Sequence, residues 1–139
     1  MIGLDTGRAL RAAGLVWSPS PGDRFVAPER DLDDQDFVVS EMVIEVRETP
    51  AGQLLAFNGT TEWALDSMDT GEAVWLPRED QLRDLLGDAF VALERMPGGE
   101  APDGWAVSVT VQGETRRHVE VAADAAYARA LLDLLTATP

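Results

Sequence analysis

The sequence predicts an α+β fold: one antiparallel sheet of four or more strands, contributed by two hairpins, with about three helices packed on one face. Three observations predict it. Paired apolar runs flank short turn-forming segments near residues 50 and 113. Two other stretches, from Leu82 to Met96 and from Tyr127 to Leu135, repeat their apolar residues at helical spacing. Finally, 139 residues at 45% hydrophobic content match one domain and can bury a core without metals or disulfides. The expectation is a single domain over residues 1–139.

Along the chain, Asp5 or Thr6 is placed to cap a short helix through Ala13, with Leu10 facing inward and Gly14 ending it. Ser18-Pro19-Ser20-Pro21-Gly22-Asp23 then reads as a rigid loop, and Phe25-Val26-Ala27 as a brief strand before Pro28. The acidic stretch holding Asp31, Asp33, Asp34 and Asp36 is expected to be a solvated loop. It fails as a calcium loop: counted from Asp31, the sixth and twelfth positions need Gly and Glu but hold Asp36 and Met42.

Phe37–Arg47 alternates Val38, Ser40, Met42, Ile44 and Val46 against Glu41, Glu45 and Arg47, which predicts one strand. Thr49-Pro50-Ala51-Gly52 has the proline and glycine of a type I turn. With those four as the loop, Glu48 faces Gln53, Val46 faces Leu55 and Ile44 faces Phe57. A slip of one residue would split that apolar face. Asn58-Gly59 turns the chain, and Thr60–Met68 is open to either a short helix or a strand.

Ala73-Val74-Trp75-Leu76 reads as extended, and Pro77 opens the longest helical pattern: Leu82, Leu85, Leu86, Ala89, Phe90, Leu93 and Met96. Pro97 to Gly104 breaks it. A second hairpin runs from Trp105 to Val111 and from about Arg116 to Val121. A two-residue Gly113-Glu114 loop would set Val109 against His118. One extra loop residue instead pairs Val109 with Val119 and Val107 with Val121, which is the expected register. Asp124 then caps a last helix with Tyr127, Ala128, Leu131, Leu132 and Leu135 on one side.

Composition excludes whole classes of chemistry. Without cysteine there is no thiolate zinc site, no thiol nucleophile and no disulfide scaffold. All 11 basic residues are arginine, so there is no P-loop lysine and no Schiff base. A net charge of −14 opposes binding to nucleic-acid backbones and to anionic membranes. The first residues lack a signal-peptide pattern, and no apolar run nears the ~20 residues of a membrane helix, so the expected location is the cytoplasm.

His118, the only histidine, cannot supply the paired nitrogens of a His-Glu-x-x-His zinc site, and no Gly-x-Ser-x-Gly accompanies it. There is no Gly-x-Gly-x-x-Gly for a dinucleotide. Glu41 and Glu45 stand about 13–14 Å apart along a strand, too far for most acid/base pairs. No catalytic residue, metal ligand or cofactor is expected.

The four tryptophans are the better lead, because Trp and Arg are enriched where proteins bind one another. Trp105 shares the apolar side of its strand and reads as core. Trp63 lies in a polar, turn-rich stretch and reads as exposed. The candidate binding residues are Asn58, Thr60, Glu62, Trp63, Asp66 and Trp75, beside the acidic Asp31, Asp33, Asp34 and Asp36.

Three stretches carry a resemblance: Leu10-x-x-x-Gly14-Leu15-x-Trp17 with Gly22-Asp23-x-Phe25; Phe57-Asn58-Gly59-Thr60-Thr61-Glu62-Trp63; and Trp75-Leu76-Pro77-x-x-x-Gln81-Leu82. Together they resemble a family of short bacterial proteins, common in actinobacteria, some of which carry a pilus-assembly label. The resemblance covers roughly Leu10 to Leu86. The label implies a ParA-like ATPase, but this chain has neither a lysine nor Gly-x-x-x-x-Gly-Lys-[Ser/Thr] to cradle phosphate.

The functional expectation is therefore a non-catalytic, acidic accessory protein that binds a protein partner, with a homodimer interface as the competing use of the same aromatics. Two alternatives stand beside it. One is an inhibitor or immunity-type protein presenting carboxylates to a basic surface. The other is a carboxylate-based enzyme for a small molecule, needing two acids in one pocket and one raised pKa.

Overall fold

The computed structural model of the chain describes residues 1–26, 36–38, 44–49, 52–57, 67–69, 73–97 and 104–137, with side chains described for 1–26, 73–97 and 104–137. The class is α+β, with three α-helices and antiparallel pairing throughout the described strands. The chain divides into two compact units, Val16–Leu76 and a second made of Met1–Leu15 with Pro77–Pro139.

In the second unit, helix α1 (Leu4–Ala12) buries Leu10 completely. Gly14, at φ +110°, ends it in a Schellman motif: Leu15 N–H donates to Leu10 O and Gly14 N–H to Arg11 O, both at 3.0 Å. No side chain caps its start, which falls at Gly3 rather than at Asp5 or Thr6.

Helix α2 (Glu79–Leu86) begins where Pro77 predicts, but it runs for only eight residues. At Gly87 the backbone turns to φ 55°, ψ −133°, a combination that side-chain-bearing residues rarely adopt. After a 3-10 turn over Gly87–Ala89, the chain becomes strand β7 (Phe90–Met96). The long helix expected through Met96 is thus half helix and half strand. Phe90 and Leu93 fit a helical face, but a neighbouring strand is present to take their backbone hydrogen bonds, and pairing overrides periodicity.

Strand β7 pairs with β8 (Gly104–Val111), setting Leu93 opposite Val107, with a bulge between Phe90 and Ala92. Strand β8 pairs in turn with β9 (Glu114–Glu120). The observed register sets Val107 opposite His118 and Val109 opposite Arg116, which corrects the expected pairing of valine with valine. Gln112 (φ 51°) and Gly113 (φ 82°) form a two-residue turn with both φ positive. That primed geometry follows the twist of the strands it joins, and it outweighs the apolar match. Val119 and Val121 are consequently exposed.

Helix α3 (Ala123–Thr136) lies on β8 and β9, while α1 and α2 pack on α3. Its N-cap is Ala122 with no side-chain cap, so Asp124 does not cap it. Instead Asp124 sits in the first turn, ion-paired with the α-amino group of Met1 at 2.5 Å. Leu10, Leu82, Leu86, Val107, Val109, Val111, Tyr127 and Leu131 form the core of this unit, and Tyr127 meets Phe90 ring to ring at 5.7 Å. Trp105, expected in the core, is half-buried.

In Val16–Leu76, strand β1 (Arg24–Val26) lies between β2 (Asp36–Val38) and β6 (Val74–Trp75). Strand β3 (Ile44–Thr49) pairs with β4 (Gly52–Phe57), and β4 with β5 (Ser67–Asp69). The β3–β4 register sets Ile44 opposite Phe57, Val46 opposite Leu55 and Glu48 opposite Gln53, as the turn chemistry predicts. Residues 36–38 and 44–49, read as parts of one strand with Asp36 left in a loop, serve two different sheets.

The described strands therefore make three sheets of three strands, and no sheet of four or more occurs among the described residues. The two hairpins fall in different units. Each recruits its third strand from its own neighbourhood in sequence: β5 beside β4, and β7 beside β8.

Candidate functional site

The loop before β1 is organised by one carboxyl group. Asp23, 3% exposed, accepts at Oδ2 from the Trp17 indole Nε1–H at 2.9 Å and from the Ser20 backbone N–H at 3.0 Å. Its own N–H donates back to Ser20 O at 3.1 Å. Pro19 and Pro21 pre-set the backbone, and the short Asp side chain closes the turn on itself.

That clasp fixes the Trp17 ring. Phe25 and Trp75 are opposite one another in the β1–β6 register and so share a face of the sheet. Trp17 tilts against Phe25 (centroids 5.4 Å apart, 37°) and stacks near-parallel with Trp75 (6.5 Å, 15°). Phe25 is fully buried, whereas both tryptophans are half-buried. Trp75 Nε1 is shut off from solvent and has no hydrogen-bond partner among the described residues. An indole N–H left in that state costs about 1–3 kcal/mol.

The other unit holds two polar arrangements. Under α3, Asp133 accepts from Arg116 at 2.5 Å and from His118 Nε2 at 2.9 Å, and Arg129 pairs with Glu120 at 3.0 Å. The charged side of β9 thus faces the helix. This spends the one histidine on a clasp between α3 and β9.

Second, Glu79, Asp80, Arg83 and Tyr127 line a shallow cleft of about 250 Å³. Burial pushes the Tyr127 hydroxyl above its usual pKa against the pull of the Arg83 guanidinium, and the Glu79 charge adds to the rise. The hydrogen bond from Arg78 holds the Asp80 carboxyl below its usual value. A carboxyl acting as a general acid needs the opposite shift.

Of the sequence-predicted binding residues, the structure describes the side chain of Trp75 alone and places it in the aromatic cluster. Asp36 opens β2, its backbone opposite Val26. Asp31, Asp33, Asp34, Asn58, Thr60, Glu62, Trp63 and Asp66 lie outside the described residues, as does Glu41. Sequence reasoning missed Trp17, Asp23 and Phe25 as partners of Trp75. Their signal was a tryptophan followed six residues later by aspartate across a Ser-Pro-Ser-Pro-Gly loop. What that pattern lacks is any indication that β6, some 50 residues on, pairs with β1.

Among the described residues no helix is long and apolar enough to cross a membrane, and no group of three or more His, Cys, Asp or Glu side chains is placed to hold a metal ion. Compared with known proteins, the chain matches no family model, no curated protein and no solved structure.

Proposed function

We propose that this chain is a non-catalytic accessory protein that binds a protein partner, and that the Trp17–Trp75 stack is part of its recognition surface. The observation that carries this reading is the stack itself: two tryptophans, each only half-buried, held near-parallel in one aromatic cluster. A partner packed over the stack covers the indole surface that the fold leaves exposed, and tryptophan is among the residue types most enriched at such centres.

The test is an affinity capture at physiological salt from the protein's own cells, comparing wild type with Trp75→Phe. This variant keeps an aromatic ring for the fold and removes part of the indole surface that a partner would cover. A stoichiometric partner held by the wild type and lost by the variant supports the reading.

The overall charge of −14 favours a second reading, an inhibitor-type protein that presents carboxylates to a basic surface. It predicts a partner indifferent to Trp75→Phe but lost when Asp31, Asp33, Asp34 and Asp36 are all changed to Asn. A partner unaffected by either set of changes removes both site assignments.

A further inference from the structure

The cleft of about 250 Å³ lined by Glu79, Asp80, Arg83 and Tyr127 lies wholly within the unit formed by Met1–Leu15 and Pro77–Pro139. Its one buried lining residue is Tyr127, 2% exposed, whose ring packs on Phe90 in the core. The charges of Arg83 and Glu79 both act on the hydroxyl, so the hydroxyl is the end of the side chain that reaches the cleft. Burial raises its pKa, which keeps the proton in place as a donor. The Arg83 guanidinium has no lone pair and can only donate to the hydroxyl oxygen, so the O–H is left to find its acceptor elsewhere.

The charges around that hydroxyl are unspent. Glu79 and Arg83 are four residues apart on α2, acid first, the order in which such a pair closes best on a helix surface. Yet among the described residues no ion pair joins them, and neither pairs with any other charged group. Asp80, by contrast, is committed to Arg78 at 3.1 Å. The cleft therefore offers two donors, the guanidinium and the Tyr127 O–H, beside one uncommitted carboxylate.

That arrangement selects its occupant. A simple anion meets repulsion from Glu79, Asp80 and a chain of net −14, and a simple cation meets it from Arg83. A molecule carrying both charges meets neither. The volume is below the roughly 300–1,000 Å³ of sites for drug-sized ligands, and among the described residues no aliphatic side chain lines the cleft, so the occupant is small and polar. We propose that the cleft binds a small α-amino acid as its zwitterion, with the carboxylate on Arg83 and the Tyr127 O–H and the ammonium on Glu79.

The test uses the full chain labelled at its only tyrosine, so that one set of ring resonances reports the cleft by NMR. L-Alanine at neutral pH is the probe. N-acetyl-L-alanine, which lacks the ammonium, and L-alanine methyl ester, which lacks the carboxylate, are the controls at matched ionic strength. The expected result is a saturable shift with a Kd of about 1 mM for alanine and binding at least about tenfold weaker for either control. Glu79→Gln and Arg83→Gln should each weaken alanine about tenfold, and because both side chains are exposed the fold tolerates them. Asp84→Asn, on the same helix but outside the cleft lining, should change nothing. No saturable shift with alanine overturns the proposal. Equal binding of N-acetyl-alanine makes the cleft a plain anion site, and equal binding of the ester a plain cation site; either result overturns it. So does alanine binding that survives Glu79→Gln or Arg83→Gln, or that falls as far in Asp84→Asn.

Discussion

Asp133 lies in the last turn of α3, 16% exposed, and it joins two basic side chains of β9 to the helix. Changing it to Asn leaves Arg116 and His118 without their anion under the helix. The cost expected is about 1–2 kcal/mol, below the buried-pair range because Arg116 is 40% exposed. Urea unfolding measures it, and a double-mutant cycle with Arg116→Ala separates the pair from the rest. Tyr127 makes a different prediction. It is the only tyrosine, so tyrosinate absorbance reports it alone, and its midpoint should lie above the ordinary 10.0. A raised folded-state pKa means that the native state holds the proton more tightly than the unfolded chain. Stability is then retained below pH 10 and falls as pH rises through the shifted value. In Tyr127→Phe that alkaline fall should be reduced.

Gly87 decides whether residues 79–96 are one element or two. Inside a continuous helix, Gly87→Ala would stabilise the protein by about 1 kcal/mol. At the observed φ of 55° the same change should destabilise it by about 1–3 kcal/mol through local backbone strain alone, because no other part of the structure lies within 4 Å of the added Cβ. The sign of the shift in thermal midpoint therefore tests the boundary between α2 and β7. The β8–β9 hairpin is tested by its valines. With Val121 74% exposed, Val121→Lys should change stability by no more than about 0.5 kcal/mol in urea unfolding. In the register that pairs it with Val107, the same lysine would be buried against the core. The β3–β4 turn shows the contrasting case. Pro50 and Gly52 demand one loop length, that length also aligns the apolar residues, and so its register was legible. At Gln112-Gly113 the two criteria disagree, and the turn prevails.

At the scale of the molecule, a net charge of −14 repels itself, most of all across Val16–Leu76. Added salt screens that repulsion over a Debye length of about 8 Å at physiological strength. The thermal midpoint should accordingly rise by a few degrees between very low and physiological salt, as followed by circular dichroism. Midpoints that fall with salt would mean that the clasps on Asp133 and Asp23 outweigh the repulsion. The candidate site is subject to the same long-range field, since Trp17 and Trp75 belong to Val16–Leu76, whose 13 acidic residues and three arginines give it a net of −10.

The sequence by itself determined the α+β class, the end of α1 at Gly14, the start of α2 after Pro77 and the register of β3 on β4. Each of these depends on residues within a few positions of one another: a glycine able to adopt positive φ, a proline that cannot donate, a turn of defined length. It also offered Trp75 as a candidate binding residue, by residue type and as the end of the segment that starts at Asn58. Only the tertiary structure decided that Phe90–Met96 is a strand, that β9 turns its charges toward α3, and that Trp17, Asp23, Phe25 and Trp75 meet. Those outcomes depend on partners distant in sequence. A segment whose apolar residues suit both a helix and a strand adopts whichever state its neighbours can pair with, and periodicity within the segment carries no record of those neighbours.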